Sequence, residues 1–295
     1  MTSPLPKKET ELTPFQTLDW ALLCGAAGIW GASFFFIDIG LEAFSPGIIT
    51  WFRIAFGCAT LWLLPFQRNP VHRSDWPKIV LLAITWMAFP LTLFPIAQQW
   101  INSSLTGMMN SAMPIFTVIV AGIFFSTATS RRQIVGIIIG LLGIFLIGVP
   151  EMTSDGTNAL GVVLVVSAVF SYGVAVNVAG PLQQKYGALP VVRRALLVAA
   201  FLTAPYAASG ISSSEFGWGP LIACLGLGVG GTGIAYVMAS QLTGRVGAVR
   251  TSIVTYLIPI VATVLGVLFR NDSVTAWALI GTVVVLGGAY AANSN

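Results

Sequence analysis

Charge is the scarcest commodity in this chain: Asp, Glu, Lys and Arg make up 8% of its 295 residues, against roughly 25% in a soluble globular domain. With 56% hydrophobic residues and a mean hydropathy of +0.87, the chain cannot clothe a surface for water. Histidine occurs once, as His72 in a basic loop, so no His-based metal site can be assembled. The three cysteines, Cys24, Cys58 and Cys224, lie inside apolar runs without metal-ligand spacing and read as small core packers. No metal or other cofactor is therefore expected. No Asp or Glu falls near the middle of any apolar run, which leaves an intramembrane enzyme without a nucleophile–base pair and a proton pump without its usual relay. The net charge of +4 does not indicate nucleic acid, because the basic residues are scattered between apolar runs.

What is abundant is uninterrupted apolar length. Stretches near the roughly 20 residues that a spanning helix needs occur at about 18–39, 46–66, 77–97, 104–125, 134–150, 159–180, 188–208, 217–240, 247–269 and 274–291. Their length without polar alternation predicts helices rather than barrel strands. The fold class expected is an all-α membrane protein of ten transmembrane helices. A polar tail covers 1–17. The motif Gly226-Leu-Gly228-Val-Gly230-Gly231 satisfies a dinucleotide pattern on paper, but it lies inside an apolar run rather than after a strand. It reads as a place of close helix approach or flexibility.

The second abundance is internal repetition. Pro114, Gly136 and Gly143 recur 145 residues later as Pro259, Gly281 and Gly288, and Thr106, Ile115, Phe124 and Leu141 recur as Thr251, Ile260, Phe269 and Leu286. Two five-helix repeats, 18–150 and 151–295, follow. An odd-numbered repeat enters the membrane from the opposite side the second time, so the halves are expected to be inverted copies, an arrangement typical of secondary carriers. Loop charges agree. Lys7, Lys8, Arg68, Arg73, Lys78, Arg131, Arg132, Lys185 and Arg245 fall on one side, whereas Glu42, Glu151, Asp155, Glu215 and Asp272 fall on the other with Arg270 alone. The positive-inside rule places both termini in the cytoplasm of an inner-membrane protein.

Trp30-Gly31-Ala32-Ser33-Phe34, Arg53, the segments Thr106–Thr117 and Thr251–Ala262, and the four repeated glycines together resemble the EamA-type drug/metabolite transporters over nearly the whole chain. The resemblance implies ten helices in two inverted repeats that move small metabolites, often outward. It also implies a Gly-Glu pair before the fifth and tenth helices. Here those places hold Ser126-Thr127 and Asn271-Asp272.

Candidate residues follow from depth. Trp20, Trp62, Trp76, Trp100, Trp218 and Trp277 lie near span ends, as an interfacial belt requires. Trp30 and Trp86 lie mid-span, where an aromatic wall with a few polar groups makes a binding pocket. Ser33, Asn110, Ser111, Tyr172, Asn177, Tyr236 and Tyr256 are the candidate polar groups, each also able to serve as interhelical glue. Asp38 and Arg53 can pair at similar depth as a gate, and Pro114 and Pro259 are candidate hinges. The function expected is a secondary carrier, exporter or facilitator, of small organic solutes such as amino acids by alternating access. A nucleotide-sugar-like antiporter is the alternative within transport, and a membrane enzyme or receptor the alternative outside it. Lipid and a small solute are the expected partners. Faces of small residues serve internal and external contacts alike and specify no oligomeric state. Impermeant thiol reagents are expected to label cysteines engineered at 153–158 and 212–214 from outside, and those at 68–75 only after permeabilisation; the reverse pattern overturns the orientation.

Overall fold

The structure is a computed structural model that describes residues 15–65, 70–125, 130–154, 156–246, 251 and 253–293. Lys7, Lys8, Arg68, Asp155, Ser126 and Thr127 lie outside the described residues. All regular structure among the described residues is helical, the form in which a chain satisfies its own backbone in an apolar medium.

Helix α1 (Thr17–Leu41) reverses through a short loop into α2 (Pro46–Leu63). Helix α3 (Trp76–Leu82) passes through one π-helical stretch, Ala83–Ala88, into α4 (Phe89–Ala97). Helices α5 (Ser103–Asn110) and α6 (Met113–Phe124) form a bent pair, followed by α7 (Arg131–Ser154), α8 (Gly156–Tyr186) and α9 (Ala188–Ser209). Helix α10 (Trp218–Leu225) runs through a second π-helical stretch, Gly226–Ile234, into α11 (Ala235–Val246). Helices α12 (Ile253–Arg270) and α13 (Ala276–Asn293) complete the chain.

Eight of these segments are long and apolar enough to cross a membrane, nine if the bent α5–α6 pair counts as one span, and the apolar stretch Ala276–Ala292 is shorter. The chain is thus an integral membrane protein. The fourth apolar run departs from a simple span for a local reason. After Asn110 the chain bends by 40°, and Pro114 falls in the first turn of α6, where its missing N–H costs no hydrogen bond. The Ser111 hydroxyl donates to the Met108 carbonyl and so helps satisfy the backbone at the break. Its repeat mate is Tyr256, whose ring cannot fold back in that way, and Pro259 stands inside a continuous α12. Of the two candidate hinge prolines, Pro114 follows a break in its run and Pro259 does not.

The repeated glycines meet one another. A Cβ on Gly288 would stand 2.7 Å from the Gly136 carbonyl oxygen, and one on Gly143 would stand 2.8 Å from the Gly281 carbonyl oxygen. Helices α7 and α13 are therefore antiparallel and in backbone contact along this seam. In an apolar solvent, close approach of small residues replaces the hydrophobic effect as the force between helices. The glycine run of the second π stretch works in the same way. A Cβ on Gly228 would meet the Arg53 carbonyl at 3.0 Å, and one on Gly57 would meet Thr232 at 2.6 Å.

The seam yields a paired test within one helix. Gly288→Ala drives a methyl into the Gly140 nitrogen 2.4 Å away and is expected to lower stability in detergent by about 1–3 kcal/mol. Gly287→Ala, with nothing within 4 Å, is expected to leave thermal unfolding unchanged or slightly raised.

Candidate functional site

Mid-helix residues from both halves of the chain enclose a cavity of about 120 Å³. Its cage is aromatic. The Tyr236 ring stands edge-on to Trp30 and to Trp86, with centroids 5.6 and 5.4 Å apart. Tyr172 packs on Phe94 at 5.9 Å, and Phe94 stands edge-on to Phe34 at 5.5 Å. The Trp30 indole is fixed by donating to the Gly231 carbonyl at 2.9 Å, a backbone oxygen of the second π stretch. A π turn has looser backbone bonding than an α turn, and such turns gather at functional sites.

Polar groups are few. The Thr232 hydroxyl donates to the Leu227 carbonyl and accepts a bond from Arg53 Nε at 3.3 Å. Ser33 donates to Ile29. Asn110 ends α5 at the break, and its carboxamide oxygen is enclosed without a hydrogen-bond partner. Thr255 of α12, the repeat mate of Asn110, lines the same cavity.

Of the expected pocket residues, Trp30, Ser33, Trp86, Asn110, Tyr172 and Tyr236 converge here, and so does Arg53. Three others lie away from the lining. Ser111 is fully buried on its Met108 bond, Asn177 donates to the Thr117 and Gly173 carbonyls, and Tyr256 packs against the neighbouring apolar core. Phe34 of the first-helix motif lines the cavity too, as do Met113, Thr232 and Phe94, the last two marked by no motif or depth argument. The belt expectation agrees with exposure at Trp20, Trp218 and Trp277, which are 52%, 70% and 58% exposed.

The expected Asp38–Arg53 pair does not form. Asp38 pairs with Arg270, which also holds Glu42. Arg53 lies seven residues into α2, about 10 Å along its axis, whereas Asp38 lies only three residues from the end of α1, about 5 Å. The two side chains therefore sit about one turn apart in depth. Asp38 instead borders a second, wider cavity of about 720 Å³ with Glu42, Gln98 and Glu215. Asp38 and Gln98 come one helical turn after Phe34 and Phe94, so this aromatic pair forms the layer between the two cavities. Gln98 ties the layer together by donating to the Phe34 carbonyl at 3.0 Å.

The sequence matches the EamA-like transporter family over residues 20–149 and again over 159–294. A protein of Archaeoglobus fulgidus named as an uncharacterized transporter is 23% identical over 92% of this chain and 97% of its own length. A protein of Streptantibioticus cattleyicolor named a probable terminal-alkyne amino-acid exporter is 23% identical over 93% of this chain and 92% of its own. A solved crystal structure superposes with a TM-score of 0.64 at 18% identity, over 94% of this chain and 97% of that one, which shows a shared fold.

At the loop where the resemblance leads one to expect an acidic residue, Asp272 accepts from the Ser103 hydroxyl at 2.8 Å and from the Ser104 nitrogen and hydroxyl at 2.9 and 2.7 Å. It thereby caps the start of α5, where the helix dipole favours a negative charge. Gly266 leaves room for it, since a Cβ there would stand 2.2 Å from the carboxylate. Asp272→Ala is expected to lower thermal stability by about 1.5–3 kcal/mol, with Ser103→Ala costing less because two of the three bonds survive.

Proposed function

The chain belongs to the EamA-like transporter family, and we propose that it is a secondary carrier that moves small organic metabolites, such as amino acids, unmodified across the cytoplasmic membrane by alternating access. The carrying observation is that the two π-helical stretches form a repeat-related pair beside the cavity. The first π stretch, Ala83–Ala88, shifted by the repeat offset of 145 residues, falls on 228–233, inside the second stretch Gly226–Ile234. One contributes Trp86 to the cavity and the other Thr232.

The packing supports ten spans in two inverted repeats. Exchange of repeat mates turns the Gly136–Gly288 contact into the Gly281–Gly143 contact, as a two-fold axis between α7 and α13 requires. In the same manner α1 packs on α12 as α8 packs on α6, and α4 packs on α8 as α10 and α11 pack on α1. The repeat bounds 18–150 and 151–295 sit close to the two stretches matched by the family. Both termini are cytoplasmic in this reading, so the wider cavity behind Phe34 and Phe94 faces outward. The relative named an amino-acid exporter favours outward movement of amino acids or similar solutes. One cationic side chain in a cavity of this size does not favour the nucleotide-sugar alternative.

Purified protein in liposomes is expected to support counterflow of labelled amino acids, unaffected by a protonophore. Asn110→Ala, by removing a cavity acceptor, is expected to weaken apparent affinity by about 5- to 150-fold, whereas Tyr256→Phe, outside the cavity, is expected to leave it unchanged. Absence of counterflow across a broad solute panel, or equal effects of the two variants, overturns the reading.

A further inference from the structure

Arg53 is the one charged residue that lines the aromatic cavity, and it is only 9% exposed. Among the described residues no carboxylate pairs with it, and its only hydrogen bond is the one from Nε to Thr232. A buried guanidinium in an apolar bundle is costly unless an anion or several acceptors meet it. Its repeat position, 145 residues on, holds Val198, so the fold does not need a cation there.

The surroundings orient the group rather than neutralise it. Thr232 Oγ1 gives its own proton to Leu227 and so offers Arg53 Nε a lone pair. Gly231, at the base of this corner, keeps it open: a Cβ there would stand 3.0 Å from Ser33 Oγ and 3.8 Å from Arg53 Nη2. With Nε occupied, the paired Nη1 and Nη2 edge remains, and that edge matches the two oxygens of a carboxylate. Trp30, Trp86 and Tyr236 supply an apolar wall beside it.

We infer that Arg53 is the anion-binding group of this cavity, and that the transported solute is a small organic acid whose carboxylate pairs with Arg53 while its apolar body lies against Trp30, Trp86 and Tyr236. The inference rests on the carrier reading above and narrows it to carboxylate-bearing solutes.

The test compares acids with their neutral-headed mates. Leucine and leucinamide, phenylalanine and phenylalaninamide, and 4-methylpentanoate and 4-methylpentanamide are measured for counterflow in proteoliposomes and for ligand-induced thermal shift of the purified protein. Acids are expected to bind on the order of 10- to 100-fold more tightly than the matching amides. In Arg53→Gln that ratio is expected to collapse towards one through loss of acid affinity, and in Arg53→Lys, which keeps the charge but not the fork, to fall part of the way. The wild-type comparison stands even if a variant does not fold. Equal handling of acids and amides by the wild type, or an undiminished ratio in a folded Arg53→Gln protein, makes Arg53 a strut between α2 and the second π stretch and leaves the carrier reading intact. If no acid or amide binds or exchanges, this inference and the carrier reading fall together.

Discussion

Inside an apolar span, every backbone group or charge that leaves the regular helix pattern must find its partner within the protein. That constraint orders the whole bundle. Helices can loosen only where another helix is close enough to answer for the freed groups. The π stretch Gly226–Ile234 loosens against α1 and α2, and there Trp30 takes the Gly231 carbonyl and Thr232 takes Arg53. The break after Asn110 lies against α1 and α12, with Ser111 satisfying the turn. The cavity forms where these irregular places converge on the regular faces of α1, α2 and α8 that carry Ser33, Arg53 and Tyr172.

Repetition supplies the frame, and departures from repetition supply the chemistry. The glycine seam between α7 and α13 obeys the repeat on both sides and makes a rigid element. At the cavity the mates differ: Asn110 faces Thr255, Trp86 corresponds to Gly231, and Arg53 corresponds to Val198. Trp86 fills space on one side, while the glycine opposite lets the Trp30 indole reach backbone. An inverted pair of identical halves would build a symmetric hole, and these substitutions give it a charged end and an aromatic side.

Much of this was legible in the sequence because apolar length, kink prolines and glycine spacing act through local rules. Trp30 and Trp86 are legible by depth, because mid-span tryptophans cannot serve an interfacial belt, and Tyr172 and Tyr236 as polar groups within apolar runs; all four line the cavity. Depth does not say which way a side chain turns, and so Asn177 and Tyr256, at a plausible level, prove to face helix contacts. The partner of Asp38 was hidden for a different reason. Arg270 lies 232 residues away in sequence, and only the packing of α12 on α1 brings it within reach. Thr232 carries one signal in the sequence: it is a hydroxyl in the middle of a glycine run, a place where a polar side chain can touch a neighbouring backbone.

The ion pairs reveal how the halves are held together. Asp38 and Glu42 with Arg270, Asp19 with Arg245, and Asp75 with Lys185 each join a residue of the first half to one of the second, and they lie at the ends of the bundle. The Asp272 cap on α5 does the same through hydrogen bonds. In each ion pair at least one partner reaches solvent, so each ion pair contributes little and breaks at little cost, whereas the Asp272 cap holds through three hydrogen bonds. The seam between α7 and α13, by contrast, is backbone against backbone and cannot part by small steps. In the carrier reading proposed above, a bundle fastened along one glycine seam and by solvent-reaching ion pairs at both ends shifts its halves about that seam, and the solute's carboxylate meets Arg53, the charged residue that lines the cavity.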